Sequence, residues 1–248
     1  MNFSSSNPLA NIPTVVKNLL IINVLMLFGT WAAGSSGIDL GDTLGLHHWK
    51  SDLFRPHQLV TYMFMHGGFQ HLFFNMFALW MFGKILEQVW GSKRFLIYYM
   101  VTGIGAGIIQ LIVIELRILS LKSQVDPEFY QIVLNEGLSA LQMGKNFTDP
   151  IAGELNHLIN TTTVGASGAV FGILLAFGML FPNTQLMLLI PPIPIKAKYF
   201  VALYGLFELY MGFSNNPADN VAHFAHLGGM LFGFILIKMW KKNTNTFY

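Results

Sequence analysis

The chain is built of long apolar runs separated by short polar breaks. Windows of about 20 apolar residues, the length that crosses a bilayer as a helix, place six spans at about 15–34, 69–90, 94–115, 166–181, 198–213 and 221–240. The first run contains Ala32-Ala33-Gly34, a small-residue triplet of the kind that ends a signal peptide. No basic residue precedes Lys17, however, and the run is longer than an ordinary signal core, so it reads as a retained anchor. The pattern predicts an all-α polytopic membrane protein, a bundle of six transmembrane helices. Its parts are a short segment 1–14, a core 15–240 with an outer insertion at about 116–165, and a tail 241–248. Within the insertion, Tyr130, Leu134, Leu138 and Leu141 fall near helical spacing, which suits an interfacial helix; a solvated or disordered insertion is an equal alternative.

Composition agrees with this class. Of 248 residues, 53% are hydrophobic and only 10% charged, against about 25% charged in soluble domains, and the mean hydropathy is +0.52. The absence of cysteine excludes disulfides, thiolate metal sites and a thiol nucleophile. A net charge of +2 names no partner and gives no sign of nucleic acid. Charge does orient the bundle, because Lys and Arg accumulate on the cytoplasmic side. With the N-terminus inside, the inner ends carry Lys17, Lys84, Lys93, Arg94, Lys196, Lys198, Lys238, Lys241 and Lys242. The outer segments carry Lys50, Arg55, Arg117, Lys122 and Lys145. Both termini are therefore expected in the cytoplasm of a cell-membrane protein, with spans 2, 4 and 6 running from outside to inside.

In that orientation the polar residues of the spans converge. His66, His71 and Asn75 open span 2, Ser167 opens span 4, and His223 and His226 open span 6, all near the outer face. Polar and ionisable groups in such helices are functional candidates. A serine hydroxyl becomes a nucleophile at neutral pH when a histidine takes its proton. His71 and Asn75, four residues apart, share a helical face and can aim two donors at one point. Ser167 lies in a first helical turn, whose backbone N–H groups lack partners and whose dipole is positive. Together these groups can form an oxyanion hole. Two small-xxx-small pairs, Gly168 with Gly172 and Gly229 with Gly233, permit close helix packing. Either His223 or His226 can face the serine by spacing alone.

Three motifs carry a family resemblance. They are His66-Gly67-Gly68-Phe69-Gln70-His71 continuing through Leu72-Phe73-Phe74-Asn75, then Gly165-Ala166-Ser167-Gly168-Ala169-Val170-Phe171-Gly172, then Ala225-His226-Leu227-Gly228-Gly229-Met230-Leu231-Phe232-Gly233. In this order, each at the head of an even-numbered span, they resemble the rhomboid intramembrane serine proteases over about 15–240. The resemblance implies a nucleophile at Ser167, a general base and acid at His226, and an oxyanion hole formed by Asn75, His71 and the Ser167 backbone N–H. It gives His66 a supporting role in the loop above, and it places Phe171 as the ring that stacks on the base. It also implies a Ser–His dyad without a carboxylate, and no acidic residue adjoins these motifs. No cofactor is implied; the partners would be transmembrane protein substrates and the bilayer, with small residues favoured just before the cut. The chain departs from the family at His57-Gln58, where a Trp-Arg pair is common in the first outer loop.

Other polar residues have plainer readings. Glu208, mid-span, reads as a hydrogen-bonded packing residue, and His47, His48 and His157 as solvated loop histidines. Asn146-Phe147-Thr148 and Asn160-Thr161-Thr162 match glycosylation sequons. Three function classes remain: an intramembrane serine endopeptidase, an inactive rhomboid-like binding or chaperone protein, and a histidine metal site or transporter. The second class typically lacks the nucleophile or the base, and this chain keeps both. Against the third stand the missing His-Glu-x-x-His pattern and the lack of a carboxylate beside the histidines in sequence.

Overall fold

The computed structural model describes residues 11–187, 192–214 and 221–243. Most of the 1–14 segment and of the 241–248 tail lies outside them. Helix α1 (Thr14–Ser35) is followed by the loop expected on the outer side, the outer loop, with short helices α2 (Leu40–Leu44) and α3 (Gln58–Thr61). Next come α4 (Phe69–Ala78) and α5 (Lys84–Trp90), joined by a π-turn at Leu79–Gly83, then the long α6 (Ser92–Lys122). The insertion holds α7 (Pro127–Gln142) and α8 (Pro150–Asn160). Helix α9 (Ser167–Leu180) leads through antiparallel strands β1 (Gln185–Met187) and β2 (Pro194–Lys196) to α10 (Ala197–Phe213) and α11 (His223–Asn243).

The outside of this bundle is apolar. Leu25 is 62% exposed, Leu206 61% and Phe74 59%, which in water would be an aggregating surface and in lipid is a solvated one. Among the described residues, Thr14–Ser35, Ser92–Lys122 and His223–Lys241 are long and apolar enough to cross a bilayer. Helix α9 differs, being apolar but only 14 residues long. At about 1.5 Å per residue it rises about 21 Å, short of the roughly 30 Å hydrocarbon core. Ten of its 14 residues are buried and none is exposed, so it is an interior helix of the bundle.

Small residues set how closely the helices approach α9. Helix α6 carries Gly103, Gly105, Ala106 and Gly107, all buried. A Cβ added at Gly168 would come within 2.4 Å of the Ala106 Cβ, and one at Gly172 within 2.7 Å of Thr102. One at Gly229 would lie 1.8 Å from the Gly168 carbonyl oxygen, so α9 and α11 meet backbone to backbone there. The expected glycine pairs are thus redistributed. The Gly168 carbonyl and Gly229 form the α9–α11 contact, and Gly168, Gly172, Gly228 and Gly233 all make room for α6. The Thr102-to-Gly107 run was the visible signal of that central role.

A buried carboxylate anchors α1. Glu87 of α5 accepts hydrogen bonds from the Val15 and Val16 backbone N–H groups at 2.9 and 2.8 Å and from the Ser92 hydroxyl at 2.6 Å. It satisfies donors of a helix start where negative charge is favoured.

The insertion is folded. Helix α6 extends to Lys122, beyond the predicted span end near 115, and both following helices are capped by aspartate and begin with proline. Asp126 accepts from Glu128 N–H and Asp149 from Ala152 N–H, each at 2.8 Å. Ile118, Tyr130, Val133, Ala152, Leu155 and Ile159 form a second buried cluster. An asparagine network crosses it. Asn156 donates to Asn146 Oδ1 and to Gly137 O, Asn160 donates to Asn156 Oδ1, and Ser51 of the outer loop donates to Asn160 Oδ1. Both sequon asparagines are therefore occupied by internal hydrogen bonds.

Candidate active site

Ser167 is the first residue of α9, half-buried, and its Oγ lies 2.8 Å from His226 Nε2 on α11. The Gly168–Gly229 contact makes this pairing possible, because any side chain at Gly229 would hold the two helices apart. The His226 ring is stacked on Phe171, one turn along α9, with centroids 4.1 Å apart and planes 6° from parallel. Phe171 in turn contacts Tyr204 of α10, centroids 4.8 Å apart. One stacked ring, itself backed by Tyr204, and one hydrogen bond thus restrict the imidazole orientation.

The other ring nitrogen of His226 meets a carboxylate. Its Nδ1 lies 2.8 Å from Glu208 Oε2 of α10, and His223 Nδ1 lies 2.6 Å from the same oxygen. Glu208 is hydrogen-bonded, as expected, but to the two histidines of α11, so the expectation that no carboxylate stands beside them is overturned. Sequence proximity was the wrong measure, since Glu208 lies on a different helix from every motif. The signal that could have found it was an ionisable residue in an apolar run, a functional candidate by default. His223 is likewise buried, against this same carboxylate.

On the opposite side are the span 2 residues. His71 packs on Gly165, where a Cβ would sit 2.8 Å from His71 Nε2 and 3.6 Å from Ser167 Oγ. Gly165 has φ of 130°, a conformation that L side chains rarely adopt, and its N–H bonds to Tyr62 O at 2.9 Å. Asn75 is buried, and its Nδ2 donates to His71 O at 3.0 Å. One amide hydrogen is therefore engaged within α4, and the amide has a second. His66 is buried with its ring 5.0 Å from that of His71, edge to face. Burial, and to a lesser degree His71, depresses its pKa to about 4.

The outer loop is held by the His57-Gln58 pair. Gln58 is buried; its Oε1 accepts from His47 N–H at 3.3 Å and Arg55 N–H at 3.1 Å, and its Nε2 donates to Leu53 O at 2.9 Å. His57 Nε2 lies 2.9 Å from Thr43 O. A single amide therefore gathers this turn of the loop. His47 and His48 are buried, contrary to the solvated reading, while His157 is exposed. The loop is also bridged to the segment before α9 by Leu46 and Thr163.

Comparison with known proteins gives these features a family. The chain is similar to the rhomboid-family protein YdcA of Bacillus subtilis, 27% identical over 237 residues, which are 91% of this chain and 89% of that one. It is similar to the mitochondrial Rhomboid protein 1 of Saccharomyces cerevisiae, 27% identical over 231 residues, 89% of this chain but 51% of the yeast protein. A 51-residue stretch, 21% of this chain and 10% of the other, is 43% identical to Rhomboid protease GluP of Bacillus subtilis. The profile of the rhomboid domain matches residues 53–242, from the outer loop through α11 and so across every residue of the site. The chain belongs to the rhomboid family.

Proposed function

We propose that the protein is an intramembrane serine endopeptidase that cleaves transmembrane segments of membrane proteins, with Ser167 as nucleophile and His226 as general base and acid. The observation that carries this reading is the 2.8 Å Oγ–Nε2 contact beneath a stacked imidazole. Ser167 Oγ attacks the scissile carbonyl as its proton passes to His226 Nε2, forming a tetrahedral oxyanion. The Ser167 backbone N–H, the free Asn75 amide hydrogen and His71 receive the charge. His226 then protonates the leaving amine, the C–N bond breaks, and water releases the acyl-enzyme by the same route. A helical peptide bond is shielded by its own hydrogen bonds, so the scissile segment must unwind; Gly or Pro near the cut aids this. The same reading places six spans across a cell membrane with both termini in the cytoplasm.

The test is cleavage of a model transmembrane substrate by purified protein. Ser167→Ala and His226→Ala lose nearly all activity, and a fluorophosphonate labels wild type but not Ser167→Ala. His223→Ala retains substantial cleavage. Full proteolysis by Ser167→Ala ends the reading.

One observation favours a second reading. Glu208, His223 and His226 present three ligand-type atoms within 4.8 Å of one another, the donor set of an open zinc site. Loss of activity on chelation, restored by zinc and independent of Ser167, selects it.

A further inference from the structure

We propose that Glu208 is the positioning residue of the base, so that this rhomboid operates with a Ser167–His226–Glu208 triad in place of a dyad. The inference deepens the serine-protease reading and rests on it. Three facts point the same way. Glu208 is buried, with 3% of its surface exposed, although an isolated carboxylate among apolar helices is strongly unfavourable. Its Oε2 meets His226 Nδ1 at 2.8 Å, while His226 Nε2 meets Ser167 Oγ at 2.8 Å, a continuous line through one ring. The same oxygen meets His223 Nδ1 at 2.6 Å, which braces the carboxylate from the outer side.

The chemistry follows from what each atom can do. An ionised carboxylate only accepts hydrogen bonds, so Nδ1 of His226 must carry a proton. In the neutral ring Nε2 then holds the lone pair, the tautomer required to take the Ser167 proton. When that proton transfers, Nε2 becomes N–H and the ring becomes an imidazolium facing the Glu208 anion. The proton then leaves to the amine, and Glu208 stays ionised throughout. Phe171 fixes the tilt of the ring; Glu208 fixes which nitrogen is free.

The experiment compares Glu208→Gln, Glu208→Asp and Ser167→Ala with wild type in detergent micelles, with kcat and KM measured separately. A glutamine can donate to Nδ1 and select the wrong tautomer. Glu208→Gln is expected to lower kcat by about 100-fold or more, towards the roughly 10,000-fold of a wrong-tautomer serine protease variant, with KM within about threefold. Glu208→Asp, which restores an anion, recovers at least about tenfold over the glutamine variant. Nitrogen-15 spectra of wild type are expected to show His226 protonated at Nδ1 when neutral.

A Glu208→Gln enzyme with kcat within about threefold of wild type overturns the proposal, as does a loss confined to KM. If Glu208→Gln fails to fold, the wild-type spectrum decides, and an Nε2–H tautomer overturns it. Cleavage by Ser167→Ala defeats the protease reading instead, a result the tautomer measurement leaves separate.

Discussion

At Asn75 a single amide holds the fold and, in the proposed mechanism, also serves the chemistry. One amide hydrogen is engaged by His71 O at 3.0 Å, which leaves one donor for a developing oxyanion. Loss of such a donor costs about 2.7–4 kcal/mol in the transition state. Asn75→Ala is therefore expected to turn over roughly 100- to 1,000-fold more slowly with KM little changed, and normal turnover would assign Asn75 to packing alone. His48 makes a different single-residue prediction. Burial, reinforced by Lys50 and partly offset by Glu115, lowers its pKa from 6.5 to about 4. The native state thus holds His48 neutral where the unfolded chain binds a proton, so stability falls as pH drops from about 6.5 towards about 4 and is unaffected above that window. Thermal unfolding in detergent at pH 7 and pH 5 is expected to show this loss, and His48→Gln to reduce it; equal losses in both proteins would exclude His48.

Helix contacts make the next set of constraints. The Gly168–Gly229 approach is the closest demand, since a methyl at Gly229 would overlap a backbone carbonyl at 1.8 Å. Gly229→Ala must separate α11 from α9 and pull His226 from Ser167. Overpacking of this kind destabilises by about 1–3 kcal/mol, and the variant is expected to lose serine labelling as well as stability. Gly29 on α1 is the control, with nothing within 4 Å of an added Cβ. Gly29→Ala is expected to be neutral or stabilising by up to about 1 kcal/mol, read as an unchanged or raised melting temperature. Helix α10 shows the same logic on a polar scale. Tyr204 and Glu208, one turn apart, reach Phe171 and His226, so α10 closes the site on the side away from α4.

Across the whole molecule, two buried clusters have separate tasks. The larger unites α1, α4, α6 and α9 around the candidate site, and the smaller holds α7 and α8 against the C-terminal end of α6. Leu155 is fully buried in the smaller cluster. Leu155→Ala is expected to destabilise by about 2–5 kcal/mol while leaving the Ser167–His226 contact intact. Its signature is a lower melting temperature with normal fluorophosphonate labelling at low temperature; loss of labelling on a folded protein would make the insertion part of the site.

Hydrophobic periodicity and composition alone determined the helical membrane class, because apolar runs of this length have no stable soluble alternative. The convergence of Ser167 with His226 was also legible, since each stands at the head of an apolar helix beside glycines. Parity and charge bring those two heads to one side. The Glu208 contact was not legible. Nothing in the order of residues tells which helix faces which, and a carboxylate 18 positions from His226 becomes its partner only through the packing of α10 on α11. The same holds for the asparagines of the insertion, whose network joins α7 to α8 and reaches Ser51, distant in sequence. Local pattern encodes element type and the depth of a residue in the membrane, whereas pairing between elements is decided by side-chain volume and direction, which exist only once the helices are packed.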